Sequence, residues 1–117
     1  MQMDIAVSKT EYEEAVVNFR QSLYQAMSDV ENALSAREQL AIQARLLQES
    51  LDAALKAEEL NEVRYRAGAV PLRTWLDAQE RRRLAEIAVA ENRLSRYGNQ
   101  VVLYQALGGD AVIADRG

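Results

Sequence analysis

The chain contains no cysteine and no histidine. The first absence excludes disulfides and thiolate metal sites and leaves the redox compartment open. The second removes the commonest metal ligand and general base. Proline occurs once, at Pro71, and glycine five times, at positions 68, 98, 108, 109 and 117. Residues 9–67 therefore hold no helix breaker, and neither do residues 72–97. No run of about 18 apolar residues is present, which excludes a transmembrane helix. Met1-Gln2-Met3-Asp4 has neither the basic start nor the apolar stretch of an export signal.

What is present fits those absences. Apolar residues make up 49% of the 117-residue chain, much of it alanine, while aromatics reach only 6% and charged residues 27%. That balance belongs to long helices packed through small side chains, in one domain or a piece of one. A net charge of −4 argues against nucleic acid as a partner, because that affinity rests on neutralising phosphates with Lys and Arg. The fold class expected is all-α, a long antiparallel helical hairpin of the coiled-coil type. The expected divisions are an unstructured N-terminus over 1–8, a long helix over 9–67, a tip turn at 68–71, a return helix over 72–107, and a cap and frayed tail over 108–117.

The first arm carries a heptad. Positions 12, 19, 26, 33, 40, 47, 54 and 61 read Tyr, Phe, Ala, Ala, Leu, Leu, Ala, Asn. Positions 16, 23, 30, 37, 44, 51, 58 and 65 read Val, Leu, Val, Arg, Ala, Leu, Glu, Tyr. Thirteen of these 16 are apolar, and a sustained seven-residue period makes a left-handed coiled-coil seam. Glu58 and Asn61 turn the seam polar towards the reversal. A weaker apolar line through Met27, Leu34, Ala41 and Leu55 widens the stripe, so this helix is expected to touch more than one neighbour. On the second arm, Leu76, Ile87, Ala90, Leu94, Tyr97, Val101 and Tyr104 are expected to form the matching seam, interrupted by Glu80 and Arg83.

Arm lengths differ. About 59 residues span roughly 88 Å, whereas Leu72 to Leu107 reaches only about 54 Å. Folded back, the second arm covers the first down to around residue 32, leaving the Tyr12 to Val30 seam bare. The sequence thus reads as a fragment or an obligate oligomer. At the reversal, Gly68 suits the left-handed position after a helix end and Pro71 the first helical position. Arg64 and Arg66 suit the negative end of the first helix, and Asp77, early in the second, the positive end.

The reversal and its flanks resemble a known family. Arg64-Tyr65-Arg66-Ala67-Gly68, Leu76-Asp77-Ala78-Gln79 and Val102-Leu103-Tyr104-Gln105-Ala106-Leu107-Gly108-Gly109 are similar, in that order, to the second repeat of TolC-type outer-membrane efflux channels, the lipoprotein group of OprM and CusC above all. Tyr12-Glu13-Glu14-Ala15-Val16 and Asp29-Val30-Glu31-Asn32-Ala33-Leu34 resemble its long descending helix, so the likeness covers roughly residues 8–109. The resemblance implies a trimer with two such repeats per protomer, a β-barrel in the outer membrane and a helical barrel through the periplasm of a Gram-negative cell. It implies tips that dock a periplasmic adaptor linked to an inner-membrane pump, and a passive duct with no cofactor and no catalysis. By matching position, Asp77, with Thr74 beside it, and Tyr65 would constrict and close the entrance. Arg64, Arg66, Ala67, Gly68, Ala69, Val70 and Leu72 would face the adaptor. Some members carry an acid where this chain has Thr74 and a base where it has Val70, so the resemblance does not carry over a closed-state tip network built on those pairs. The chain also lacks the strands, the first repeat and the acylated cysteine, and is expected to be a soluble periplasmic piece of such a channel.

Plainer readings stand beside these. Gly68 with Pro71 is also simply a turn, and Asp77 a solvated carboxylate. Arg81-Arg82-Arg83 reads as a solvated face with Asp77 and Glu86 at helical spacing, and Trp75 as either a seam residue or an exposed contact. Catalysis fails on inventory. Glu13 with Glu14, and Glu58 with Glu59, point about 100° apart on a helix, while Glu58 and Glu62 share a face without the histidine a di-iron bundle needs. The alternative to a duct is a self-associating structural hairpin. On either reading the bare Tyr12 to Val30 seam predicts that the chain self-associates. Sedimentation at micromolar concentration is expected to give more than the monomer mass, and a monomer there would refute the bare seam.

Overall fold

Helix α1 runs Gln2–Arg66 and α2 runs Leu72–Tyr104, followed by a π-helical turn at Gln105–Gly109. The protein is seen in a computed structural model that describes the backbone of residues 2–109 and the side chains of residues 9–108. Among the described residues there is no strand. The chain is an all-α helical hairpin. Helix α1 already begins at Gln2, ahead of the residue-9 start expected, because nothing between Gln2 and Lys9 breaks a helix. Gly108 and Gly109 fall in the π turn, and the tail expected beyond them lies outside the described residues.

Two compact units divide the chain. In the first, Ala36–Gln100, the helices run antiparallel: Tyr65 meets Trp75, Glu58 meets Arg82, and Leu40 and Gln43 meet Asn92. On α1 the half-buried positions from Leu40 onward are Leu40, Ala44, Leu47, Leu51, Ala54, Glu58, Asn61 and Glu62, all but Glu62 belonging to the two heptad sets read from sequence. Arg37 departs from the set and stays exposed, and Ala36 is half-buried in its stead.

Helix α2 does not present the face the sequence pattern favoured. Leu76, Ile87, Leu94 and Tyr97 are exposed, Leu94 to 72%. The residues turned towards α1 are Trp75, Ala78, Arg82, Ala85, Val89 and Asn92, with Ala78 and Asn92 buried. The inner line interleaves Arg82 and Asn92 with Trp75, Ala78, Ala85 and Val89, so an apolar count passes it over, although both of these polar residues find a partner across the seam. Asn92 Nδ2 donates to the Leu40 carbonyl at 3.1 Å and to Gln43 Oε1 at 3.0 Å. Arg82 Nε donates to Glu58 Oε2 at 2.7 Å. Alanines between these positions allow close helix approach, and the paired polar groups avoid the cost of burial without a partner.

The second unit holds residues 2–35 and 101–109 among those described. Ala33 is its most buried apolar residue at 3% exposure, with Val16, Ala26, Val30, Leu103 and Ala106 half-buried. Ala106, Leu107 and Gly108 border one hollow with Phe19, Leu23 and Asp29. The returning chain therefore reaches the mid-twenties of α1, farther than the residue 32 expected from rise alone. Tyr12, Phe19, Leu23 and Tyr24 remain exposed. So do Met27 and Leu34 of the wider apolar line.

The buried amide at Asn92 generates a prediction. Asn92→Ala removes both hydrogen bonds across the seam and is expected to lower unfolding free energy by about 1 kcal/mol. Urea denaturation followed by circular dichroism measures it, and an unchanged midpoint would show that the amide adds nothing.

Candidate functional site

The reversal is built from backbone bonds. Gly68 has φ +78°, in the left-handed region where a side chain is strained. Its N–H donates to the Tyr65 carbonyl at 2.9 Å, and the Ala69 N–H donates to the Arg64 carbonyl at 2.8 Å. These two bonds, wrapped round a left-handed residue, are a Schellman ending, which satisfies carbonyls that the last helical turn leaves open. Pro71 stands just before α2, one place ahead of the first-helical position expected, and its carbonyl accepts the Thr74 N–H at 3.1 Å.

The residues singled out from sequence are distributed around this turn. Arg64, Arg66, Ala67, Gly68, Ala69 and Leu72 are exposed, and Val70 is half-buried. Arg66 pairs with Glu62 at 3.0 Å within its own helix. Tyr65 packs its ring against Trp75, with centroids 5.5 Å apart and planes inclined by 31°. Thr74 and Asp77 border a shallow hollow with Asn61, Ala57, Ala78 and Arg81. Tyr65 does not border it. The structure thus brings Thr74 and Asp77 together and assigns Tyr65 to an aromatic contact. Asp77 is exposed and lies in the second turn of α2, past the first turn where a carboxylate gains most from the helix dipole.

The arginine run divides by face. Arg82 lies half-buried between Glu58, at 2.7 Å, and Glu86, at 3.0 Å. Its hydrogen bonds to Glu58 first, and then to Glu86, raise its pKa from the ordinary arginine value. Arg83 pairs with Glu80 at 2.6 Å on the exposed face. The hydrogen bond from Arg83 holds the Glu80 carboxyl below its usual range. Among the described residues Asp77 makes no ion pair with Arg81, the partner expected at helical spacing.

Sequence reasoning missed the pairing of Glu58 with Arg82 and the role of Asn92. The available signal was Glu58 itself, a polar break in an apolar heptad, which demands a polar answer on the facing helix. Trp75 is a half-buried seam residue whose indole N–H is enclosed without an acceptor. Among the described residues no group of three or more acidic side chains could hold a metal ion, and no helix is long and apolar enough to cross a membrane. The latter says nothing of a β-barrel.

Comparison with known proteins gives consistent matches. The family described as "Outer membrane efflux protein" matches residues 2–109. The pyoverdine export outer membrane protein OpmQ of Pseudomonas aeruginosa is 36% identical over 97 residues, covering 83% of this chain and 20% of the relative. The probable efflux pump outer membrane protein TtgC of Pseudomonas putida is 36% identical over 106 residues, covering 87% of this chain and 21% of the relative. The probable outer membrane lipoprotein SilC of Salmonella typhimurium is 27% identical over 106 residues, or 91% of this chain and 23% of the relative. The chain therefore spans about a fifth of the length of the curated relatives it matches. No solved structure matches.

The turn geometry sets a stability prediction. A Cβ at Gly68 would meet nothing within 4 Å, so Gly68→Ala adds backbone strain alone, about 1 kcal/mol. The thermal midpoint of the variant should fall while its low-temperature helicity stays at the parent level. A midpoint at or above the parent's would contradict a left-handed residue 68.

Proposed function

The chain belongs to the outer membrane efflux protein family, and from that premise we propose that it forms the periplasmic helical part of an outer-membrane efflux channel. The observation that carries this reading is that each helix of the hairpin has two faces to satisfy. One pairs with the other arm. The second is apolar and bare: on α2 it runs through Ile87, Ala90, Leu94, Tyr97, Val101 and Tyr104, at alternating three- and four-residue steps. A helix with two seams suits the wall of a closed ring of helices, where every member has neighbours on both sides. The neighbours would come from further copies and from the remaining parts of the protomer, in a homo-oligomer that is a trimer in the family. The export of pyoverdine named for one relative makes small solutes the natural cargo class.

In this reading the reversal is the end of the duct and the docking point for a periplasmic adaptor, through which the inner-membrane pump is reached. Arg64, Arg66, Ala67, Gly68, Ala69, Val70 and Leu72 form the adaptor-facing turn, a compact surface with few side chains to displace. Asp77, with Thr74 on the same hollow, narrows the entrance. A ring of such carboxylates, repeated by symmetry, would favour cations over anions at the constriction. Tyr65 contributes by holding Trp75 and so the start of α2. No step of this function is chemical. Glu58 and Glu62, the carboxylates sharing a face, are each engaged by an arginine, Arg82 and Arg66.

The test uses the tip. Ala67→Asp and Gly68→Glu are expected to weaken binding of a periplasmic adaptor protein by at least about tenfold, or about 1.4 kcal/mol, with helicity retained in circular dichroism. Titration calorimetry against the adaptor measures the loss. Undiminished binding, or none by the parent chain, would favour the self-associating structural hairpin.

A further inference from the structure

The tip of the hairpin carries a charge opposite to that of the whole chain. Between Glu62 and Asp77 lie Arg64, Arg66 and Arg73 and no acidic residue, in a chain of net charge −4. All three arginines are exposed. Two of them have a local reason to be there. Arg64 and Arg66 stand in the last turn of α1, where cations complement the negative end of the helix dipole. Arg73 has no such reason. It is the second residue of α2, whose first turn holds no acid, and a cation there opposes the positive end of the dipole. No ion pair compensates it. Among the described residues neither Arg73 nor Arg64 has an acidic partner, whereas Arg66 has Glu62.

We infer that Arg73, with Arg64, makes the tip a cationic docking surface for a protein partner whose docking end presents a cluster of carboxylates. The inference rests on the reading of the tip as a docking point and adds the chemistry of what docks. A residue that breaks a local rule without local compensation answers a demand from outside its helix. Exposed guanidinium groups meet such a demand through forked hydrogen bonds to carboxylates, which join charge to geometry. Other anionic occupants fit less well. Nucleic acid and anionic membranes are held by the number of charges neutralised. The tip offers few, and Glu59, Glu62, Asp77 and Glu80 stand directly behind them. A second copy docked tip to tip would set arginine against arginine. A narrow acidic end of a helical protein meets the basic segment alone, and complementary charge of that kind selects the partner.

Trp75, the only tryptophan, lies two residues from Arg73 and reports binding by its emission. The probes are two tryptophan-free synthetic helical hairpins, alike except that glutamates flank the turn of one and lysines that of the other. At low salt the chain should bind the glutamate hairpin at least about tenfold more tightly, and the gap should close as salt screens the charges. Arg73→Glu should weaken that binding by about tenfold or more and raise the thermal midpoint, since an acid suits the start of α2. A residue that merely held the fold would lower both. Equal affinity for the two hairpins, or no binding of either, overturns the inference. So does a phosphatidylglycerol vesicle bound as tightly as the glutamate hairpin. A periplasmic adaptor separates the inference from the proposed function. Adaptor binding unchanged by Arg73→Glu refutes the inference and leaves that function standing. An adaptor that fails to bind, beside a glutamate hairpin that binds, removes the adaptor and supports the cationic tip.

Discussion

The hairpin depends on one backbone conformation. With Gly68 at φ +78°, the end of α1 turns back through two hydrogen bonds and hands the chain to Pro71, with α2 beginning at the next residue. Neither arm can end gradually, so the direction of α2 is set within five residues. That direction brings Trp75 onto Tyr65, and the aromatic contact begins the seam.

From that start the seam is held by alternation of small and polar residues. Alanines at 54, 78 and 85 let the backbones approach, and the Glu58–Arg82 and Asn92–Gln43 contacts fill the gaps between them. Such a seam buries little apolar area, and Ala78 is its one buried apolar residue among those described. A two-helix unit of this kind is held as much by the avoidance of unpaired polar groups as by hydrophobic burial. The indole N–H of Trp75 is the exception, an enclosed donor with no acceptor among the described residues.

Much of this was legible in the residues. The absence of breakers on either side of Gly68 and Pro71 fixed the two long helices and the reversal. The heptad of α1 named the inner positions from Leu40 to Asn61, because leucine and alanine there coincide with the buried face. On α2 the same reasoning chose the outward line, since periodicity reports an apolar face without reporting which neighbour it meets. Asn92 and Arg82 carried the missing information, but a polar residue declares itself a seam member only when its partner is known. The same holds at the candidate site. Gly68 could be placed as a left-handed cap, whereas the separation of Tyr65 from Thr74 and Asp77 depended on the rotation of α2.

That rotation also explains why the chain displays so much apolar surface. Leu94 and Tyr104, each 72% exposed, with Tyr97 at 60% and Val101 at 56%, form a continuous line that a monomer of this size would ordinarily bury. Burying it on α1 would satisfy the hairpin and leave nothing with which to assemble. By placing Arg82 and Asn92 inward, with partners, α2 leaves this apolar line outside the intramolecular contact.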